Sequence, residues 1–188
     1  MTISRSLVLG GVKSGKSRYA MQLATEHASR QSSPPCDVVF IATARADDDE
    51  MAHRIERHRE DRPKHWRVIE EPRRLVERLQ RLSTELPTDK NESIVLVDCL
   101  TLWLTQLCCE ELTARELADE CQRLVQQVSE VNYPLILVSN ELNMGVTPLG
   151  EFSRRYCDAA GLLHQSLAAV CDSVTLVVAG LPLNLKPN

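Results

Sequence analysis

Short apolar, β-branched runs recur along the chain at Leu7–Leu9, Val38–Thr43, Val68–Ile69, Ile94–Val97, Leu135–Val138 and Val174–Val178. Amphipathic stretches lie between most of them, for example Leu75 to Leu86 and Leu117 to Val131. Short strands that are apolar at successive positions are covered on both faces. Their alternation with helical stretches predicts a doubly wound α/β fold, a parallel sheet with helices on both sides. The polar connections Gln31 to Pro35 and Pro87 to Ser93 are too short to separate domains, so residues 1–188 are expected to form a single domain. Residues Pro182 to Asn188 read as a loose tail or a short edge strand. In such sheets ligands gather at the carboxyl ends of the strands. That rule singles out Ala42-Thr43-Ala44, Glu70-Glu71, Asp98-Cys99 and Ser139-Asn140-Glu141.

The first strand runs straight into Gly10-Gly11-Val12-Lys13-Ser14-Gly15-Lys16-Ser17, which fits G-x-x-x-x-G-K-[ST] at every fixed position. A helical pattern follows, with Tyr19, Ala20, Leu23 and Ala24 on one side. The glycines permit backbone conformations barred to bulkier residues, so successive N–H groups can turn toward one phosphate. The helix starting near Gly15 aims the positive end of its dipole at the same oxygens. Lys16 is placed to reach β- and γ-phosphates, and the Ser17 hydroxyl to hold a Mg²⁺. A glycine-rich turn that binds nothing is the competing reading, and the strand–helix context argues against it.

Asp98 closes the run Ile94-Val95-Leu96-Val97. In phosphate-loop proteins an acid there meets Mg²⁺ directly or through water, while the alternative is a helix N-cap for the stretch from Cys99 to Leu107. The segment Asp47 to Pro63 is acidic in its first half and basic in its second, which suits a helix dipole, and Pro63 is placed to end it. On a helical projection Met51, Ile55, His58 and Arg62 share one side and His53 lies opposite, facing water. Arginines around His58 would neutralise phosphate oxygens and disfavour protonation of the ring, leaving a nitrogen lone pair as nucleophile. The competing reading is a solvated helix laced with charge pairs, with His58 merely a boundary residue.

Composition narrows the classes. A net charge of −4 gives no support to a nucleic-acid surface, and no apolar stretch is long enough for a bilayer span. The N-terminal residues lead directly into the first strand, so a cytoplasmic protein is expected. The seven cysteines include no Cys-x-x-Cys pair and read as reduced, mostly buried thiols. Trp66 and Trp103 read as packing residues, and His27 and His65 as solvated ones.

Taken together, these pieces resemble the bifunctional adenosylcobinamide kinase/adenosylcobinamide-phosphate guanylyltransferases of cobalamin biosynthesis. The resemblance rests on Gly10 to Arg18, Ile41 to Ala44, and Asp49-Glu50-Met51 with Arg54-Ile55, His58-Arg59, Arg62-Pro63, Trp66 and Glu70. It continues through Val97 to Trp103, Ser139-Asn140-Glu141, Met144-Gly145 and Pro148, so it covers nearly the whole chain. It implies a P-loop NTPase-type (RecA-like) fold with a mostly parallel sheet. It also implies two reactions. In one, ATP or GTP phosphorylates the hydroxyl on the aminopropanol arm of adenosylcobinamide. In the other, GTP gives GMP to a histidine, and adenosylcobinamide phosphate takes it to form adenosylcobinamide-GDP. By resemblance the guanylylated histidine is His58. Ala42, Thr43, Ala44, Arg59, Glu60, Asp61, Arg62, Glu70 and Asp98 match positions around the nucleotide, with Ser17 and Asp98 toward Mg²⁺. The relatives form symmetric homo-oligomers, and a trimer is implied.

The chain departs from the family pattern at Asp98, where a longer Glu is frequent, and in its last third. Asn143 stands where a glycine is usual and is expected to tolerate a left-handed backbone; Cys157 replaces an arginine, and His164 an asparagine. A P-loop kinase without nucleotidyl transfer, or a nucleotide-dependent switch, remains the alternative function on the residues alone.

Overall fold

The computed structural model describes residues 4–30, 36–45, 49–60, 62–87, 93–110 and 112–187; the side chains of Met51, Arg54, Arg57 and His58 lie outside that description. In chain order the elements are β1 (Arg5–Gly10), α1 (Lys16–Ser29), β2 (Asp37–Ala42), α2 (Asp49–Glu60), β3 (Arg67–Glu70) and α3 (Leu75–Glu85). They continue with β4 (Ser93–Asp98), α4 (Leu100–Cys109), α5 (Ala114–Glu130), β5 (Leu135–Asn140), α6 (Glu151–Val170), β6 (Ser173–Val178) and β7 (Leu181–Lys186). The strands form one seven-stranded sheet in the order β3-β2-β4-β5-β1-β6-β7. The first six strands pair in parallel, and β7 adds to β6 antiparallel.

Strand alternation divides the core into two layers. Val8, Val38, Phe40, Ile94, Leu96, Ile136, Val138 and Val177 face α1, where Ala20 and Ala24 let the helix lie close, and Trp66 packs on the same side. Leu7, Leu9, Val39, Ile41, Val95, Val97, Leu135 and Leu137 face the other way, against α3, α4, α5 and α6. Because both sides are covered, β1, β4 and β5 are buried along almost their whole length, which is why they read as continuous apolar runs.

The six parallel strands, the edge strand at the C-terminus, and the buried Trp66 and Trp103 agree with the sequence expectations. His53 and His65 are exposed as expected. His27 is not solvated: it is 4% exposed, because positions 20, 24 and 27 form the inward stripe of α1. Cys109 is exposed while four of the cysteines are buried. Helix α5 starts at Ala114, before the apolar periodicity begins, because Thr113 and Glu116 close a capping box around its first turn. Asn143 does not take a left-handed backbone; among the described non-glycine residues only Lys13 and Ala179 have positive φ.

Candidate active site

The phosphate loop sits between β1 and α1, at the carboxyl edge of the sheet. Gly10 stands in register with Asn140 on β5 and with Val177 on β6, so the loop starts from the middle of the sheet. Its geometry is that of a cradle. Lys13 (φ 57) and Gly15 (φ 94) turn the backbone left-handed on either side of Ser14. Ser14 N–H closes the turn on the Gly11 carbonyl at 3.2 Å. A β-carbon on Gly10 would come within 2.5 Å of Ser14 Oγ and 2.6 Å of the Val177 carbonyl, so no larger residue fits without displacement. The β6–β7 hairpin walls the loop from behind, with Gly180 N–H donating to the Ser14 carbonyl at 2.8 Å. Ala179 (φ 51) and Gly180 (φ 81) form that two-residue turn. The one mark of this wall in the sequence is the Ala179-Gly180 pair between two apolar runs, a signal for a hairpin of this kind.

Three features fit an anion here. Gly15 caps α1 without any side-chain hydrogen bond, and the first turn carries no acid. The leading N–H groups of a helix have no intrahelical partner and attract negative charge. Ser14 Oγ is buried with no hydrogen-bond partner, an orphan that a phosphate oxygen would satisfy. Lys16 is 9% exposed and its Nζ folds onto the Gly11 carbonyl at 3.3 Å, so the ammonium already lies against the cradle. Gly11 has open space where a side chain would go, whereas Val12 projects into solvent.

A second group lines the edge beside the loop. Ala42 is in register with Glu70 on one neighbouring strand and with Asp98 on the other. Thr43 is fully buried, and Ala44 follows it at the strand end. Arg59, at the end of α2, forms an ion pair with Glu70 and a longer one with Glu56 at 3.4 Å. The carboxylate raises the Arg59 pKa above its ordinary value, chiefly through that hydrogen bond. The guanidinium of Arg62 lies over the Phe40 ring, 4.1 Å from its centroid. Burial lowers the Arg62 pKa and the field of Asp98 opposes the shift, so the two charges share one neighbourhood. Glu60 is exposed. Asp61 lies outside the described residues, as does the side chain of His58, although the backbone of residue 58 belongs to the last turn of α2.

Asp98 does not act as the helix cap. The N-cap of α4 is Cys99, without a side-chain hydrogen bond. The carboxylate is left at the strand end, half-buried. Burial pushes the neighbouring Cys99 thiol up to about 11, with the Asp98 charge adding to it, so Cys99 is a protonated packing group and no nucleophile. Among the described residues no cluster of three or more His, Cys, Asp or Glu side chains could hold a metal by itself. A hydroxyl and one carboxylate suffice for Mg²⁺ when substrate phosphates complete its shell, and Ser17 with Asp98 is such an oxygen donor set.

Comparison with known proteins places the chain. The family model described as cobinamide kinase / cobinamide phosphate guanyltransferase matches residues 6–185. A bifunctional adenosylcobalamin biosynthesis protein of Pseudomonas aeruginosa is 48% identical over 183 residues, 97% of each chain. One of the same description from Escherichia coli is 36% identical over 193 aligned residues, covering 96% of this chain and 98% of the other. A solved structure from Pyrococcus horikoshii superposes with a TM-score of 0.52 at 11% identity, covering 100% of this chain and 88% of that one, a likeness of fold alone. No helix among the described residues is long and apolar enough to cross a membrane. The sequence match spans both the cradle and the acid-and-arginine edge beside it, and the chain belongs to the cobinamide kinase / cobinamide phosphate guanyltransferase family.

Proposed function

We propose that the protein phosphorylates the aminopropanol hydroxyl of adenosylcobinamide and then transfers GMP from GTP to the product through a guanylyl-His58 intermediate. The observation that carries this reading is the cradle itself, an uncapped helix end with an orphan buried hydroxyl and a lysine laid against it. Family membership supplies the two acceptors.

In the kinase step the loop amides and Lys16 bind the β- and γ-phosphates of ATP or GTP, so that the cobinamide hydroxyl attacks the γ-phosphorus in line and the nucleoside diphosphate leaves. In the transfer step a neutral His58 nitrogen attacks the α-phosphorus of GTP. An N–P bond forms, the bond from the α-phosphorus to the bridging oxygen breaks, and pyrophosphate departs with its charge held by Lys16 and the loop N–H groups. The cobinamide phosphate oxygen then attacks the same phosphorus, and the imidazole leaves. Ser17 and Asp98 would hold a Mg²⁺, which supplies positive charge to the phosphate oxygens when bound. Arg62, held over Phe40, and Arg59, held by Glu70, place two cations at the end of the helix that carries residue 58. Ala42 to Ala44 and Glu60-Asp61 belong to the nucleotide surface on the same reading.

A homo-oligomer, a trimer by family resemblance, has apolar surface available to it. Leu181, Leu183 and Leu185 share one face of β7 and are all more than half exposed.

The test is incubation with α-labelled GTP and Mg²⁺ followed by denaturation. Label that survives at neutral pH, is lost in acid, and is absent from His58→Ala is the expected result. Stable kinase activity with no protein-bound label in the native enzyme would leave a cobinamide kinase and refute the transfer mechanism.

A further inference from the structure

The corner Ser139-Asn140-Glu141 lies beside the cradle but has no part in the chemistry described above. It is held from behind by His164, a residue in the middle of α6 that is 7% exposed. His164 Nε2 is 2.8 Å from Ser139 Oγ, and its Nδ1 faces Glu141 Oε2 at 3.7 Å. Ser139 Oγ lies 3.4 Å from Thr101 Oγ1 on α4, and Thr101 Oγ1 in turn accepts the Asn140 N–H at 2.7 Å.

Charge sets the direction of this chain. At 3.7 Å the buried Nδ1 makes no hydrogen bond with Glu141, but the facing carboxylate favours the ring proton on Nδ1. Nε2 is then an acceptor for the Ser139 hydroxyl, whose oxygen accepts from Thr101, whose oxygen accepts from the Asn140 main chain. Burial lowers the His164 pKa and favours the neutral ring this order requires. The opposite tautomer would set a nitrogen lone pair against the carboxylate.

The corner is bonded to the phosphate loop. Glu141 N–H donates to the Gly10 carbonyl at 3.0 Å, and the Glu141 side chain accepts the Asn143 N–H at 2.7 Å. In a trans peptide the carbonyl and the following N–H point in opposite directions. Holding the Gly10 carbonyl against β5 therefore fixes where the Gly11 N–H points at the mouth of the cradle.

We infer that His164 is a positioning residue for nucleotide binding, setting the first peptide of the phosphate loop through Ser139 and Glu141. It touches no substrate and acts on both reactions alike. The inference rests on the cradle binding nucleotide phosphates. Binding of GTP by the wild-type chain and its loss in Lys16→Ala test that premise separately.

The experiment compares full-length His164→Leu, His164→Gln and Ser139→Ala with the wild type, reading the GTP dissociation constant by calorimetry, KM and kcat of the kinase reaction, and the melting temperature. Leu removes both ring contacts. Gln carries an amide to the Nε2 position and restores the acceptor for Ser139, and Ser139→Ala cuts the chain at its middle if the Leu variant fails to fold. The expected result is GTP affinity weaker by about tenfold in the Leu and Ala variants, the scale of one lost buried hydrogen bond. KM for GTP rises by the same factor, kcat stays within about twofold, and Gln recovers most of the affinity. Wild-type GTP affinity in Ser139→Ala and in folded His164→Leu, whatever the melting temperature, would overturn the inference and leave His164 a packing residue. A Gln variant as weak as Leu would overturn it too.

Discussion

Thr43 and Cys99 hold each other at two points: the Thr43 hydroxyl accepts the Cys99 N–H at 2.8 Å and donates to the Cys99 carbonyl at 2.6 Å. One side chain thus ties the carboxyl end of β2 to that of β4, with Asp98 immediately before the tie. Replacing Thr43 with Val keeps the shape and removes the oxygen, stranding the Cys99 amide in the interior and leaving its carbonyl only the longer bond from Trp103 N–H at 3.5 Å. We expect a loss of about 1–3 kcal/mol in urea denaturation, with Thr43→Ser restoring most of it. An unchanged midpoint for Thr43→Val would show the clasp to be energetically idle.

The glycines of the loop make a sharper contrast. The Gly10 β-carbon position collides with Val177 O, a main-chain atom that cannot rotate away, while at Gly11 nothing lies within 4 Å. Gly10→Ala is expected to destabilise the protein by about 1–3 kcal/mol in thermal unfolding monitored by circular dichroism. Gly11→Ala is expected to leave the melting temperature within error while still obstructing the phosphate. Equal effects of the two substitutions on stability would refute this account of the cradle.

How much of this was legible beforehand follows from where each signal is stored. The cradle residues Gly10 to Ser17 are contiguous, and their chemistry is written in one stretch, so the site's location could be read directly. The buried parallel strands carry their own signal in unbroken apolar runs. What the sequence could not show is assembled across long separations. The wall of the cradle comes from Val177 to Gly180, and the Ser139 corner is held from α4 and α6. Helix α6 hides its inward stripe behind exposed apolar residues, Leu162 among them, which blurs the periodicity. His27 was misread because a polar ring at the edge of an inward stripe looks the same in sequence as one at the edge of an outward one.

Lys186 closes the far end of the molecule. From the end of β7 its ammonium donates to the carbonyls of Ala168 at 3.0 Å, Ala169 at 3.3 Å and Cys171 at 2.6 Å. These are unpaired acceptors at the end of α6, where a cation is favoured by both hydrogen bonding and the helix dipole. Lys186→Met should lower stability by about 1 kcal/mol, and salt should weaken the wild-type advantage. A variant as stable as the wild type at low ionic strength would show that water satisfies those carbonyls equally well.

Acid should find His164 before it finds the carboxylates. Burial holds the His164 pKa below its ordinary value of 6.5, and Glu141 only partly offsets that. Between about 6.5 and the lower folded value, the unfolded chain binds a proton that the native protein refuses, so stability must fall as pH falls through that window. Asp172 behaves differently. Hydrogen bonding to Arg5 lowers its pKa below 3.8, so its contribution persists through the His164 window and is lost only in stronger acid. Urea unfolding of the wild type and His164→Gln from pH 7.5 to 5 reports on the ring and the Glu141 carboxylate that faces it, because titrating groups not coupled to them cancel in the difference. The wild-type stability relative to the variant should decline steadily below about pH 6.5. A difference that stays flat across that range would mean that the buried imidazole accepts its proton as readily in the native protein as in the unfolded chain.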